Sequence, residues 1–468
     1  MTATVRIVAA AVLLVVAGPV AAAEPPRPNI LLIVADDLGW GDVGWHGGFG
    51  RTPHMDRLVA EGVELDRHYV QPVCTPTRVA LLTGRYPGRF GPQAIAPSNR
   101  RALPPGTATL ASVLENTGYA TFQAGKWHLG SRPEWGPNHY GFDHSYGTLT
   151  GAADPWTHKY RRGPYEDTWH RDGVRLDEEG NATELVAAEA VRRIREGAEL
   201  RDAKGSRPPW FGYVAFHAVH TPVDAPAAFK RLYDGVTFDP DPAKHDSRLR
   251  LAAMVSQLDA KLGEFIAALD ETGQRNDTLV VFTSDNGGIE SLKNAYVGDV
   301  PDSPLNSENA PLRGQKNTLW EGGVRVCAFA NWPGVLAPRK CPAVIHAADW
   351  FPTLAGLLEL EQGQSLGWDG IDRWGAITGA GDAARPKPLS IVHASGRAVY
   401  QSDRDGDWKL IVRTKGPAEL YDLAADPFEK HDRAAEHPAV VERLAAVAAQ
   451  DAAGDVTEVP ADLKDLPP

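Results

Sequence analysis

Cysteine is scarce in this chain: its 468 residues include three, at positions 74, 327 and 341. Three cysteines allow at most one disulfide and leave an odd thiol, so a framework of several disulfides is excluded. Positive charge is also in short supply. There are 48 Lys and Arg against 60 Asp and Glu, a formal net charge of −12, and that balance excludes nucleic-acid binding as the main task. A net acidic protein that handles an anion must build its positive field locally, from a metal ion and a few well-placed cations. Beyond the first two dozen residues no stretch is long and apolar enough to cross a bilayer. Internal repeats and low-complexity tracts are absent as well. What remains is an ordinary globular composition, in which 43% hydrophobic residues are ample for a core.

The first 23 residues read as an export signal. Arg6 supplies a short basic region, Ile7 to Val16 is apolar, Gly18 and Pro19 break the run, and Ala21-Ala22-Ala23 offers a small-residue cleavage site. No twin Arg is present, so the general export route and a periplasmic or secreted location are expected, with no membrane attachment after signal removal. The length fits one large α/β domain, 24–385, followed by a small α+β domain, 386–455, and a loose tail, 456–468. The Gly- and Ala-rich stretch from Gly375 to Pro388 marks the boundary. If Cys74 is chemically converted, Cys327 and Cys341 are the one pair left, and a disulfide between them stays open.

The strands share a feature. Asn29 to Ala35 is a nearly continuous apolar run, as in a strand buried on both faces of a parallel sheet, and it ends at Asp36-Asp37. Tyr119 to Ala124 runs into Gly125-Lys126-Trp127-His128-Leu129-Gly130. Pro209 to Phe216 runs into His217-Ala218-Val219-His220-Thr221-Pro222, and Thr278 to Thr283 into Ser284-Asp285-Asn286-Gly287-Gly288. Helical stretches follow the strands, so the C-terminal strand ends can converge on one crevice, where α/β sheets hold ligands. Asp36, Asp37, Asp285 and Asn286 are hard oxygen donors suited to Ca²⁺ or Mg²⁺ rather than zinc. Residues 131–182, rich in Gly, Trp, Tyr and His, show little periodicity. Trp156, His158 and His170 there either line a substrate or pack the segment. Residues 287–311 read as a mobile loop.

The most specific stretch is Cys74-Thr75-Pro76-Thr77-Arg78-Val79-Ala80-Leu81-Leu82-Thr83-Gly84-Arg85. Pro76 suits a helix start. Cys74 then sits at the helix mouth, where unpaired N–H groups and the dipole favour anions, and Arg78 lies one turn further in.

This stretch resembles, throughout, the type I sulfatase signature C-x-P-[ST]-R-x-x-x-L-T-G-R. The other motifs follow in family order, ending with Lys316 in Arg313-Gly314-Gln315-Lys316 ahead of Glu321-Gly322-Gly323. The resemblance implies an alkaline-phosphatase-like fold: a large mixed, mostly parallel sheet flanked by helices, with a small C-terminal antiparallel sheet and helix. It implies oxidation of Cys74 to formylglycine by a maturation enzyme. It implies Ca²⁺ on Asp36, Asp37, Asp285 and Asn286, with residue 74 completing the site. It also implies Arg78, Lys126, His128, His220 and Lys316 around the sulfate. The family uses a further mid-chain hydroxyl; Ser145, Thr148 and Thr150 are nearby, without a safe alignment.

Within the family the nearest resemblance is to arylsulfatase B, an N-acetylgalactosamine-4-sulfatase. It rests on 313–325, the Ala218 to Pro222 turn, and Gly141-Phe142-Asp143 with Asp154 and His158. Sulfated sugars and aryl sulfates are the substrates this implies. Two alternatives stand beside it. One is a phosphonate or phosphate ester hydrolase of the same superfamily, in which Asp-His usually replaces Asp285-Asn286. The other is a non-catalytic binder of sulfated glycans, should Cys74 stay unmodified.

Overall fold

The computed structural model describes residues 27–160, 163–203, 205–290, 305–360, 366–403 and 406–466. The export signal over 1–23 and most of the loop expected over 287–311 lie outside the described residues. No described helix is long and apolar enough to cross a membrane.

An eleven-stranded sheet forms the centre. Its strands are β1 (Asn29–Ala35), β2 (Val63–Tyr69), β3 (Ala120–Lys126), β4 (His144–Thr148), β5 (Trp169–Arg171), β6 (Val174–Arg175), β7 (Trp210–Ala215), β8 (Thr278–Ser284), β9 (Arg325–Val326), β10 (Ala328–Asn331) and β11 (Arg339–His346). They run in the order β11-β2-β10-β8-β1-β7-β3-β4-β5-β6, with β9 pairing on β2. The pairs β8–β1, β1–β7, β7–β3 and β3–β4 are parallel. β10 is antiparallel to both β8 and β2, so β2 runs with the central strands. The loops after β1, β2, β3, β4, β7 and β8 therefore open on one edge of the sheet.

The apolar runs are explained by double coverage. Along β1, Ile30, Leu32 and Val34 enter one core while Leu31, Ile33 and Ala35 enter the other. Helices Cys74–Thr83, Leu110–Asn116 and Trp350–Leu357 supply the first face. Ala182–Glu199 and Pro242–Glu271 supply the second. With side chains buried on both faces, the strand has no reason to alternate.

Four antiparallel strands make the small sheet: β12 (Leu389–His393), β13 (Gly396–Asp403), β14 (Gly406–Arg413) and β15 (Glu419–Asp422). One face packs on helix Pro438–Ala452 through Val399, Trp408, Leu410, Leu420 and Leu444. The other face sends Ile391, Ala398, Tyr400, Ile411 and Tyr421 into the core of the large sheet. The tail expected to be loose is held: Val456 N–H donates to the Gly88 carbonyl at 2.9 Å, and Leu463 is fully buried.

All three cysteines are free thiols. Cys327 lies between β9 and β10, Cys341 on β11, and β2 runs between them. Two strand spacings make roughly 9–10 Å, beyond the ~7 Å that a disulfide spans between Cα atoms.

Candidate active site

The signature helix explains its own sequence. The Thr77 hydroxyl accepts from Gln71 N–H at 2.9 Å and donates to the Gln71 carbonyl at 3.1 Å, which closes the turn ahead of the helix. The helix runs Cys74–Thr83, with Cys74 in its first turn, and ends at Gly84, whose φ of 68° closes it in the left-handed region. Arg78 is fully buried. Its guanidinium donates to Asp285 Oδ2 from Nη2 at 2.8 Å and from Nε at 3.2 Å, and to the Lys126 carbonyl from Nη1 at 2.9 Å. It thus joins the ends of β8 and β3 from behind the Cys74 turn.

At the strand edge the expected residues meet. Cys74 Sγ lies 3.4 Å from Asp36 Oδ1 and 3.4 Å from Lys316 Nζ. Lys126 Nζ donates to Asp36 Oδ2 at 2.6 Å, and Lys316 Nζ to Asp37 Oδ1 at 2.5 Å. Asn286 Nδ2 donates to Asp37 Oδ1 at 2.7 Å, and His220 Nε2 is 3.6 Å from Asp37 Oδ2. His128 is tied in through its carbonyl, which accepts from the Thr75 hydroxyl at 3.2 Å. Asp37 and His128 both have positive φ, 61° and 57°; such strained non-glycine residues cluster at functional sites.

Burial governs the electrostatics. It pushes the Asp37 carboxyl up, but Lys316, His220 and the hydrogen bonds from Lys316 and Asn286 outweigh it and hold the group down to about 2. Burial lowers His220 to about 3, with Asp37 opposing. Burial, then Lys126 and Arg78, hold both His128 and His217 well below the usual imidazole value, so both rings are neutral near pH 7. Burial, then Asp285 and Asp36, push the Cys74 thiol up, against the thiolate that a cysteine nucleophile needs. Burial lowers Lys316, but Asp37 and Cys74 raise it well above the ordinary lysine value.

The site also offers ligands to a metal. Atoms of Asp36, Asp37, Cys74 and His220 lie within 4.8 Å of one another. Asp37 Oδ2 and Asn286 Oδ1 are buried without a hydrogen-bond partner. Unpaired buried oxygens of this hardness fit an oxygen-seeking cation such as Ca²⁺. Asp285 stands outside that group: Arg78 holds its Oδ2, and Asp37 N–H donates to its Oδ1 at 3.3 Å.

One neighbour, His217, was not anticipated, and its partner Thr148 is one of the three mid-chain hydroxyls that the resemblance left unaligned. His217 Nε2 pairs with the Thr148 hydroxyl at 2.6 Å, and its Nδ1 is buried without a partner. His217 opens the loop that carries His220, and that shared loop was the available signal; Thr148 ends β4, a strand the sequence did not reveal. The other mid-chain hydroxyls turn elsewhere: Ser145 to Asn138 and His170, Thr150 to the Ala152 carbonyl. The residue pressed on the His128 ring is Gly151, where an added Cβ would lie 2.2 Å from Nε2. His158 stacks on Trp169 with ring centroids 4.3 Å apart, while Trp156 is 44% exposed and donates from Nε1 to Asp224.

A carboxylate and an amide with unpaired buried oxygens, a ring of buried cations and a nucleophile position at a helix mouth define a hydrolase that acts on oxyanion esters. The sulfatase family profile matches residues 28–360. Arylsulfatase J of Mus musculus is 31% identical over 477 residues, covering 89% of this chain and 74% of the relative. Arylsulfatase A of Homo sapiens is 34% identical over 441 residues, covering 89% and 80%. Among solved structures, Ps i-CgsB in complex with k-i-k-neocarrahexaose superposes with a TM-score of 0.80 at 28% identity, covering 92% of this chain and 94% of that one. The chain belongs to the sulfatase family and is a sulfuric ester hydrolase.

Proposed function

We propose that this protein hydrolyses sulfate monoesters of a sulfated sugar, and of aryl alcohols, at residue 74 after its conversion to formylglycine, with Ca²⁺ as cofactor. The observation that carries the reading is the seat of Cys74, with Sγ between the Asp36 carboxylate and the Lys316 ammonium, 3.4 Å from each. Burial and the neighbouring carboxylates push the thiol up, which argues against the unconverted side chain as the nucleophile. The sugar is supported by the bound oligosaccharide of Ps i-CgsB. An N-acetylgalactosamine-4-sulfate-type substrate is the narrower form of this reading.

Asp36, Asp37, Asp285 and Asn286 would hold the Ca²⁺, with His220 beside them. The ion would polarise the sulfuryl oxygens, and formylglycine would supply an oxygen nucleophile in place of the thiol. Lys126 reaches Asp36 and Lys316 reaches Asp37, and both can neutralise charge that develops on the sulfate. Neutral His128 is in the state a base requires and can take a proton from oxygen at position 74. Lys316 keeps its proton and can present it to the leaving alcohol oxygen, with His220 orienting that oxygen. Arg78 sets the positions of Asp285 and Lys126.

The test is co-expression with a formylglycine-generating enzyme, mass spectrometry of the tryptic peptide containing residue 74, and assay on sulfate, phosphate and phosphonate esters. The expected peptide has a carbonyl oxygen in place of the thiol and one hydrogen, and sulfate esters are the preferred substrates. Full activity with an unmodified thiol would refute the conversion. Preference for phosphonate or phosphate esters would refute the substrate class. An unmodified, inactive protein that binds sulfated glycans would make it a binding protein.

A further inference from the structure

Beside the site lies a cavity of about 380 Å³ that the chemistry above does not use, lined by Ser131, Arg132, Leu149, Tyr165, Thr168 and Trp169 with their neighbours. Its volume falls in the ~300–1,000 Å³ range of small-ligand pockets. Hydrogen bonds and a ring contact place it next to the site. The Leu149 carbonyl accepts from His128 N–H at 3.1 Å, while Leu149 N–H and Thr150 N–H donate to the Thr168 hydroxyl at 3.2 and 3.4 Å. Trp169 lines the cavity, and its ring centroid lies 6.3 Å from that of His217, which holds Thr148 on the site side.

The lining has unspent polarity. Tyr165 is 7% exposed, and its hydroxyl has no hydrogen-bond partner among the described residues. A buried hydroxyl left unpaired costs about 1–3 kcal/mol, a cost removed when a ligand supplies the partner. Arg132 stacks over Trp135, and its ion pair with Glu134 is long, 3.7 Å, and exposed; such pairs contribute little, so the guanidinium can engage an anion. Asp167 is neutralised by Arg175. Aromatic walls, a waiting hydroxyl and a lightly held cation match a sugar ring bearing an acidic group.

Resting on the sulfatase reading, we infer that this cavity is a second saccharide subsite, taking the anionic sugar unit that neighbours the sulfated one. The enzyme then prefers oligosaccharides to single sugars. Tyr165→Phe keeps the ring and removes the unpaired oxygen, so its thermal midpoint should match or exceed that of the parent.

The experiment uses the matured enzyme with para-nitrophenyl sulfate, which has no second sugar unit to place in the cavity, and two hexasaccharide competitors, k-i-k-neocarrahexaose and a chondroitin sulfate hexasaccharide. At least one competitor should inhibit, and Tyr165→Phe should weaken that inhibition about threefold to tenfold, the worth of one hydrogen bond. Arg132→Gln should weaken it further, and kcat and KM for the aryl ester should stay unchanged. Inhibition equal in parent and both variants overturns the subsite. So does the failure of both hexasaccharides to compete, or a parallel loss of aryl hydrolysis in the variants. If the matured parent cleaves no sulfate ester, the sulfatase reading itself falls and the subsite with it.

Discussion

At the scale of single residues, the site depends on side chains that do not face the ester. Arg78 makes three hydrogen bonds at zero exposure, two to Asp285 and one to the Lys126 carbonyl. A lysine ammonium cannot reproduce that fork. Arg78→Lys should therefore cost about a hundredfold in kcat, the scale of a ~1 Å displacement of catalytic groups, and lower the thermal midpoint. Activity near the parent level on para-nitrophenyl sulfate would show that Asp285 and Lys126 are placed by other means. Gly151 is a second case. Its φ is not left-handed, so Ala is permitted by the backbone, but a Cβ there would press on His128 Nε2 at 2.2 Å. Gly151→Ala should leave the fold intact by circular dichroism and lower kcat by displacing the imidazole. Unchanged turnover would remove His128 from the proton-transfer role.

At the scale of elements, the strands that carry the site were legible because they are buried on both faces. β1, β7 and β8 are buried along their whole length and read as largely apolar runs, and buried polar residues follow them: Asp36-Asp37, His217 and Asp285-Asn286. β11 was not legible. Pro342 interrupts it, and the register shifts between Cys341 and Val344; proline is tolerated because β11 is an edge strand. β4 to β6 were hidden too, being short and set among Gly and turn residues. The apolar stretch from Val324 to Ala330 is not one strand: it breaks at Cys327 into β9 and β10. Of the site, the ten expected residues converge, because each lies at the end of a strand or on a helix or loop at the same edge of the sheet.

What the sequence could not reveal is how the loop of Lys316 is held. Glu321, on that loop, accepts from Lys409 Nζ at 2.8 Å and from the Tyr69 hydroxyl at 2.9 Å, and its N–H donates to Glu429 at 2.6 Å. Arg313 reaches the Tyr421 hydroxyl and the Glu429 carbonyl, both at 2.9 Å. Lys409 and Tyr421 belong to the small sheet, so that sheet anchors the loop. Burial, reinforced by Glu321 and opposed by Lys409, pushes Glu429 up to about 7. Lys409→Met would leave two buried carboxyls facing each other. The expected loss is about 3–5 kcal/mol of stability, read by denaturant unfolding, with a rise in KM as the Lys316 loop loosens. A change in stability without any change in KM would sever the link between the sheet and the site.

At the scale of the whole molecule, the chain passes from the large sheet to the small one through a buried ion pair. Arg385 donates from Nη1 to Asp349 Oδ2 at 2.5 Å and from Nη2 to Oδ1 at 2.9 Å, with both side chains almost wholly buried. Asp349 also accepts from His346 N–H and Ile371 N–H. Burial pushes this carboxyl up, but Arg385 and the hydrogen bonds overcome it and hold it below the ordinary 3.8. A carboxyl lowered by folding stabilises above its unfolded value, and that stability is lost as pH falls through the folded value. Arg385→Gln removes the opposing charge, so burial should carry the Asp349 pKa above the unfolded value and reverse the slope for this group. Near neutral pH the variant should be about 3–5 kcal/mol less stable, the cost of an orphaned buried charge. As the pH falls, the variant's Asp349 takes up its proton first and the parent's only below its depressed folded value, so the difference in thermal midpoint should narrow as the pH is lowered. A gap that stays constant from pH about 7 to about 3 would mean that packing of the guanidinium, rather than its charge, joins the two sheets.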